Sequence, residues 1–341
     1  MSLKIAELER QLRDIWKGFS KNEQLEQAVT RARVMNLIVY TSNKDADPEI
    51  SQVLADVSNE SPGRMIVLIR DSGLPASVIN GWVNALCHKA AGGRKQVCCE
   101  QIMIHAGERD ASQWSSVVLP LLVPDLPVFL WWHDRPDSDL DLLNAVLEAC
   151  DRLIIDSALL RELSSIFELM KTHGDWLSIS DLNWARLTPW RSAIAGFYEH
   201  PVCRPCFDEL THIEVECASP FQESRNALLL LGWLASSLNW KWAERPHLQN
   251  SKQQRITVTL HCSQSNSDQL RSVRLISRDS EFVVSVLPDA LYLQSEITIQ
   301  KEKRGTQLVK LPEQNLSAFL NKEVTILGHD RIYERAIQFL G

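Results

Sequence analysis

Short apolar runs alternate with segments of helical periodicity along the first half of the chain, and that alternation leaves few folds open. LIVY (37–40), MIVLI (65–69) and VFLWW (128–132) are continuously apolar. A strand with one wet face alternates, whereas one covered by helices on both faces does not. RLIIDSA (152–158) and QVCCEQIMIHA (96–106) supply further strands. Between them lie DPEISQVLADVSN (47–59), ASQWSSVVLPLLV (111–123), DSDLDLLNAVLEAC (137–150) and LLRELSSIFELMKTH (159–173), which read as helices. Strand and helix in turn predict a doubly wound, mainly parallel, Rossmann-like α/β domain over 34–177.

Ahead of it, Leu3, Ile5, Leu8, Leu12, Ile15 and Trp16 share one helical face, and EQAVTRARV (26–34) reads as a second helix, so 1–33 is predicted as N-terminal helices. Connecting helices are expected over 178–200. An α+β C-terminal domain follows over 201–341. There HIEVECA (212–218) is strand-like, and SPFQESRNALLLLGWLASSLNW (219–240) reads as a long helix with Ser219 as N-cap and Pro220 at its first position. RITVTLHCS (255–263), LRSVRLISRD (270–279), EFVVSVLP (281–288) and ALYLQSEITIQK (290–301) predict an antiparallel meander, with a short helix closing the chain.

The 341 residues carry 43 acidic and 36 basic side chains, a net charge of −7, which argues against a general nucleic-acid binder. No apolar run reaches the ~18 residues needed to span a bilayer. The amino terminus lacks the apolar stretch of a signal peptide, so the expected location is cytoplasmic. Eight cysteines in a chain of this length need form no disulfide framework, and several sit among apolar neighbours as small buried hydrophobes.

The motifs of catalysis are missing. No G-x-G-x-x-G follows the first strand, and its turn, TSNKDADPE (41–49), contains no glycine to admit a phosphate. Neither G-x-x-x-x-G-K-[ST], H-E-x-x-H nor G-x-S-x-G occurs. His88, His105, His133 and His173 are scattered. Asp137 and Asp139 stand where a helix N-terminus attracts negative charge. AAGGRKQ (90–96) reads as a flexible loop, and SPGR (61–64) as a turn into a strand whose Arg64 could meet an anion. No catalytic residue, metal or cofactor is assigned.

Two constellations remain. Cys203-Arg-Pro-Cys206, with His212 and Cys217 after it, is open to three readings: a redox-responsive dithiol, a Cys₃His zinc site, or coincidence. DLNWARLTPWR (181–191) concentrates Trp184, Arg186, Trp190 and Arg191. Asp181 could cap a short helix and Thr188 a second one, with Pro189 at its first position. Tryptophan and arginine are enriched at interface hot spots, so these four residues are the candidate partner-binding surface. A structural stack pinning two domains together is the competing reading.

LPLLVPDLPVFLWW (119–132), followed by SDLNWARLTPWR (180–191), resembles the pattern of the OpcA family, the glucose-6-phosphate dehydrogenase assembly proteins of cyanobacteria and actinobacteria. The resemblance runs over most of the chain. It implies a non-catalytic partner that binds glucose-6-phosphate dehydrogenase and favours its active state at the head of the oxidative pentose phosphate pathway. Cyanobacterial members are also associated with thioredoxin-linked control, for which Cys203 and Cys206 are the candidate sensors and thioredoxin a second partner. The alternative is a sugar-phosphate- or nucleotide-binding enzyme using the crevice at the strand ends of the α/β domain.

Overall fold

The computed structural model describes residues 5–21, 28–75, 78–89, 95–107, 111–135, 140–311, 315–326 and 328–341. The chain forms two units. The first comprises 1–156, 172–182 and 315–329; the second comprises 157–171, 183–314 and 330–341. No helix among the described residues is long and apolar enough to cross a membrane.

In the first unit, helix α1 (Ile5–Lys21) buries Leu8 and Leu12 on one face. Strands β1 (Ala28–Arg31), β2 (Asn36–Thr41), β3 (Arg64–Arg70), β4 (Ile79–Lys89), β5 (Lys95–Ala106), β6 (Val128–Trp132), β7 (Arg152–Ile155) and β8 (Ser178–Asp181) form one sheet. Its order runs β5-β3-β2-β6-β7-β8, all parallel, so strand order reverses at β2/β6 in the Rossmann manner. Helices α2 (Asp47–Glu60), α3 (Ala111–Val118) and α4 (Leu140–Leu147) make crossovers, and α5 (Ser164–His173) lies between β7 and β8 in the chain. The fully buried β2 explains its unbroken apolar run.

Three departures from the sequence reading occur here, the first being that Ser178–Asp181, expected among the connecting helices, is strand β8 and carries the parallel sheet past residue 177. EQAVTRARV holds no second helix among its described residues: Ala28–Arg31 is strand β1, paired in parallel with Lys95–Cys98. An exposed sheet edge overrides a weak helical pattern over so few residues. The sequence reading also missed β4, which pairs antiparallel along the other side of β5, because its asparagines and glycine interrupt the apolar pattern. Asp137, Asp139 and residues 90–94 of the glycine-rich loop lie outside the described residues.

β1 and β3 occupy successive stretches of one flank of β5, and this places three arginines around a buried carboxylate. Arg64, the first residue of β3, pairs in register with Glu100. Its Nε and Nη2 each reach Glu100 Oε2 at 2.8 Å. Arg31 and Arg33 arrive from β1 and the link after it, Arg31 bonding directly and Arg33 at 3.3 Å, while the Trp16 indole donates from α1 at 2.6 Å. The anion that Arg64 meets is therefore an internal one.

The second unit is built on a sheet of order β10-β11-β12-β9-β13-β14-β15-β16. The strands are β9 (Leu210–Ser219), β10 (Lys241–Glu244), β11 (His247–Gln249), β12 (Arg255–Gln264), β13 (Gln269–Ser277), β14 (Ser280–Val286), β15 (Tyr292–Ile299) and β16 (Glu302–Lys310). β13 to β16 form the antiparallel meander, whereas β12 is excluded from it. β9 lies between β12, to which it is parallel, and β13, to which it is antiparallel.

Helices of this unit include α6 (Leu182–Arg186, from Asn183 onward), α7 (Thr188–Glu199), α8 (Arg204–Phe207), α9 (Arg225–Ser237) and α11 (Arg331–Leu340); α10 (Leu316–Val324) belongs to the first unit. α9 starts later than the sequence suggests. Its N-cap is Ser224, whose hydroxyl accepts from the Ala227 amide, and the Ser219-Pro220 segment stays outside the helix. α9 and α11 approach closely at Gly232, where an added Cβ would stand 2.6 Å from the Ala336 carbonyl oxygen.

Candidate functional site

The DLNWARLTPWR segment folds as α6 and the start of α7. Leu187 occupies the N-cap position of α7 without a side-chain bond, and Thr188 is already helical, which corrects the capping role expected of it. Its hydroxyl instead accepts from Arg191 Nη2 at 3.1 Å. Trp190, Ile194 and Phe197 fall on one face and are buried, with Phe197 packed 5.3 Å from Phe282.

Trp184 is only 4% exposed. Its indole N–H donates to Asp330 Oδ2 at 2.9 Å, and its ring lies 5.4 Å from Tyr333. The other carboxylate oxygen of Asp330 caps α11, accepting from the Ile332 and Tyr333 amides. Arg191 places its guanidinium 3.5 Å over the Trp184 ring and donates to the Trp184 carbonyl at 3.2 Å. The structure thus brings Trp184 and Arg191 into one stack within the second unit. Both tryptophans are buried, and Arg186 and Arg191 are half-buried, so the arginines carry what surface this cluster presents.

Cys203 and Cys206 are close but unbonded. Cys203 is buried and sits at the N-cap position of α8; burial, then the neighbouring Cys206, pushes its thiol up. The half-buried Cys206 thiol faces the Val202 carbonyl at 3.8 Å. Arg204 lies 5.2 Å over the Tyr198 ring.

Disulfides form elsewhere, although a chain of this length needs no disulfide framework: Cys87–Cys98 between directly opposed positions of β4 and β5, and Cys217–Cys262 between opposed positions of β9 and β12. Sequence separations of 11 and 45 gave no framework pattern; register brings the partners together. With Cys217 bonded, the Cys₃His set with His212 does not assemble, and no group of three potential ligands occurs among the described residues.

The crevice at the ends of β2 and β6 is where a doubly wound sheet takes a dinucleotide. Here the turn after β2 is tied to Asp134, whose Oδ2 accepts from Ser42. Asp45 lies in that turn, and Asp47 and Glu49 fill the first turn of α2 around Pro48. Asp47 stands 3.7 Å from His105. His133 nearby is held below its ordinary value by burial, against the opposing pull of Glu49, Asp156 and Asp134. A pyrophosphate needs amides approachable past glycine and positive potential. The turn holds no glycine, and its one cation, Lys44, is outnumbered by Asp45, Asp47, Glu49 and Asp134, a setting that disfavours a pyrophosphate.

Family models match both halves of the chain: the OpcA-type glucose-6-phosphate dehydrogenase subunit N-terminal domain over residues 55–172 and its C-terminal domain over residues 177–337. OpcA of Nostoc punctiforme, a protein provisionally assigned to the OxPP cycle, is 25% identical over 312 residues, covering 84% of this chain and 66% of its own length. The Synechocystis sp. protein of the same name is 27% identical over 200 residues, covering 57% of this chain and 41% of its own. The chain therefore spans two thirds or less of these relatives.

Among solved structures, an oxidoreductase from Sinorhizobium meliloti aligns with a TM-score of 0.53 at 12% identity, covering 91% of this chain and 95% of its own. A 3-ketoreductase from Actinomadura kijaniata, crystallised with NADP, aligns at 0.50 and 9% identity, covering 89% and 95%. At such identity the likeness is one of fold alone. With paired models matching across both units, the chain belongs to the OpcA family of glucose-6-phosphate dehydrogenase assembly proteins.

Proposed function

We propose that this chain is a non-catalytic partner of glucose-6-phosphate dehydrogenase that favours the enzyme's assembled, substrate-competent state in the cytoplasm. The observation carrying this reading is the family match over residues 55–172 and 177–337. The acidic turn after β2, which is unsuited to a dinucleotide, supports the non-catalytic part. The mechanism is a population shift. A partner that binds the competent state more tightly raises apparent substrate affinity by that difference, and substrate in turn tightens the complex.

The contact surface is placed at Arg186 and Arg191, with Trp184 and Trp190 holding α6 and α7 beneath them. Redox control enters through Cys203 and Cys206, with thioredoxin as the reductant. The test is substrate saturation of the purified dehydrogenase with and without this chain. Addition should lower the half-saturating concentration, and an Arg186→Ala/Arg191→Ala double variant that is folded by circular dichroism should lose most of that effect. Unchanged saturation kinetics, together with separate sedimentation of the two proteins, would dismiss the reading.

A further inference from the structure

A cavity of about 570 Å³ in the second unit is lined by three arginines, Arg161, Arg225 and Arg245, together with Phe221, Glu162 and Glu223. Arg161 and Arg245 are exposed, whereas Arg225 is only 6% exposed. The Arg225 guanidinium stacks 5.4 Å over the Phe221 ring and donates through Nη2 to the Glu223 carbonyl at 2.8 Å. Its Nε is sealed from solvent and has no partner.

No carboxylate pairs directly with Arg225 among the described residues. Burial pushes its pKa down, while Asp268, Glu223 and Glu162 act in the opposite direction. Asp268 is engaged elsewhere: it accepts from the Ser224 hydroxyl and from the Asn226 amide at 3.1 Å, closing the amino end of α9. The sealed Nε cannot meet a ligand from the cavity, but a buried guanidinium without a paired carboxylate is costly, and an anion reaching its Nη edge would offset that cost. The helix terminus is already occupied, so the donors left over belong to the guanidiniums.

From this arrangement we infer that the Arg161–Arg225–Arg245 cavity binds a small organic phosphate monoester. The volume lies in the range of small-ligand sites. Three guanidinium forks match a tetrahedral dianion, whereas a carboxylate is saturated by one. The exposed Glu162 and Glu223 add acceptors for hydroxyl groups on the body of the ligand. The inference goes beyond the assembly role, and it is read on this chain alone, so the two succeed or fail separately.

The experiment is calorimetric titration of the full chain with glycerol phosphate, inorganic phosphate and glycerol at fixed ionic strength. Glycerol phosphate should bind more tightly than inorganic phosphate, and glycerol not at all. Arg161→Ala/Arg245→Ala, altering exposed side chains of which Arg245 lies 5.1 Å over the Trp242 ring, should weaken glycerol phosphate binding about tenfold or more while lowering the unliganded melting temperature only slightly. Arg225→Lys keeps the charge but loses the fork, and should weaken binding comparably. Absence of binding, equal affinity for glycerol phosphate and inorganic phosphate, or unaltered affinity in the double variant would overturn the inference.

Discussion

Arg191 lies flat on Trp184, while Trp184 holds the carboxylate that caps α11. Removing the guanidinium by Arg191→Ala should cost about 1–2 kcal/mol, combining a cation–π contact with the bonds to Thr188 and the Trp184 carbonyl. Trp184→Phe, which deletes the indole donor, should cost about 1 kcal/mol or more because Asp330 Oδ2 loses its partner. Urea denaturation of both variants checks these values.

The residue types in this stretch were legible in the sequence. Their roles were not, because Asp330 is 146 positions from Trp184 and only tertiary structure makes it an acceptor.

His133 gives a pH prediction. Its folded pKa lies below the ordinary 6.5, so the unfolded chain binds the proton more readily. Its contribution to stability is full above about pH 6.5 and is lost as pH falls from there through the folded value. Melting temperature should therefore decline on acidification from pH 7 to 5.5, and His133→Phe should flatten the decline. An identical slope in wild type and variant would remove His133 from the account.

Among elements, the Glu100 cluster joins α1, β1, β3 and β5 through one carboxylate that is 1% exposed. Glu100→Gln leaves three guanidiniums without their anion. The expected loss is about 3 kcal/mol, the low end for a broken buried pair, because Arg31 and Arg33 reach solvent. Gly232→Ala should destabilise by about 1–3 kcal/mol, since its methyl would press on the backbone oxygen of Ala336 and α11 would have to move. Thermal melts followed by circular dichroism distinguish both variants from wild type.

The buried parallel strands β2, β3 and β6 were readable because covering both faces demands unbroken apolar runs. β1 and the placement of β9 were not. A four-residue strand carries too little periodicity, and whether β12 joins β11 and β9 or joins β13 is decided by partners distant in the chain. The orphaned donor of Arg225 was equally invisible, since an arginine at the start of a helix gives no sign of what surrounds it.

For the whole molecule, two covalent links tie strands separated by 11 and 45 positions. By the chain-entropy estimate, each stabilises by about 2–4 kcal/mol. Dithiothreitol should lower the melting temperature of the wild type, and a Cys217→Ser/Cys262→Ser variant should show a smaller response to the same reductant. Thiol trapping followed by mass spectrometry would report which bonds open, and whether Cys203 and Cys206 oxidise.

The chain's path has a further consequence for synthesis. Residues 315–329 belong to the same unit as residues 1–156, where the Ser317 hydroxyl bonds Asp56 at 2.8 Å and Arg152 reaches the Gly328 carbonyl. A ribosome must therefore deliver the chain through residue 329 before the unit that holds residues 1–156 can close these contacts. A nascent product released before that stretch emerges would leave Asp56 and Arg152 without those partners, exposed to proteases and chaperones.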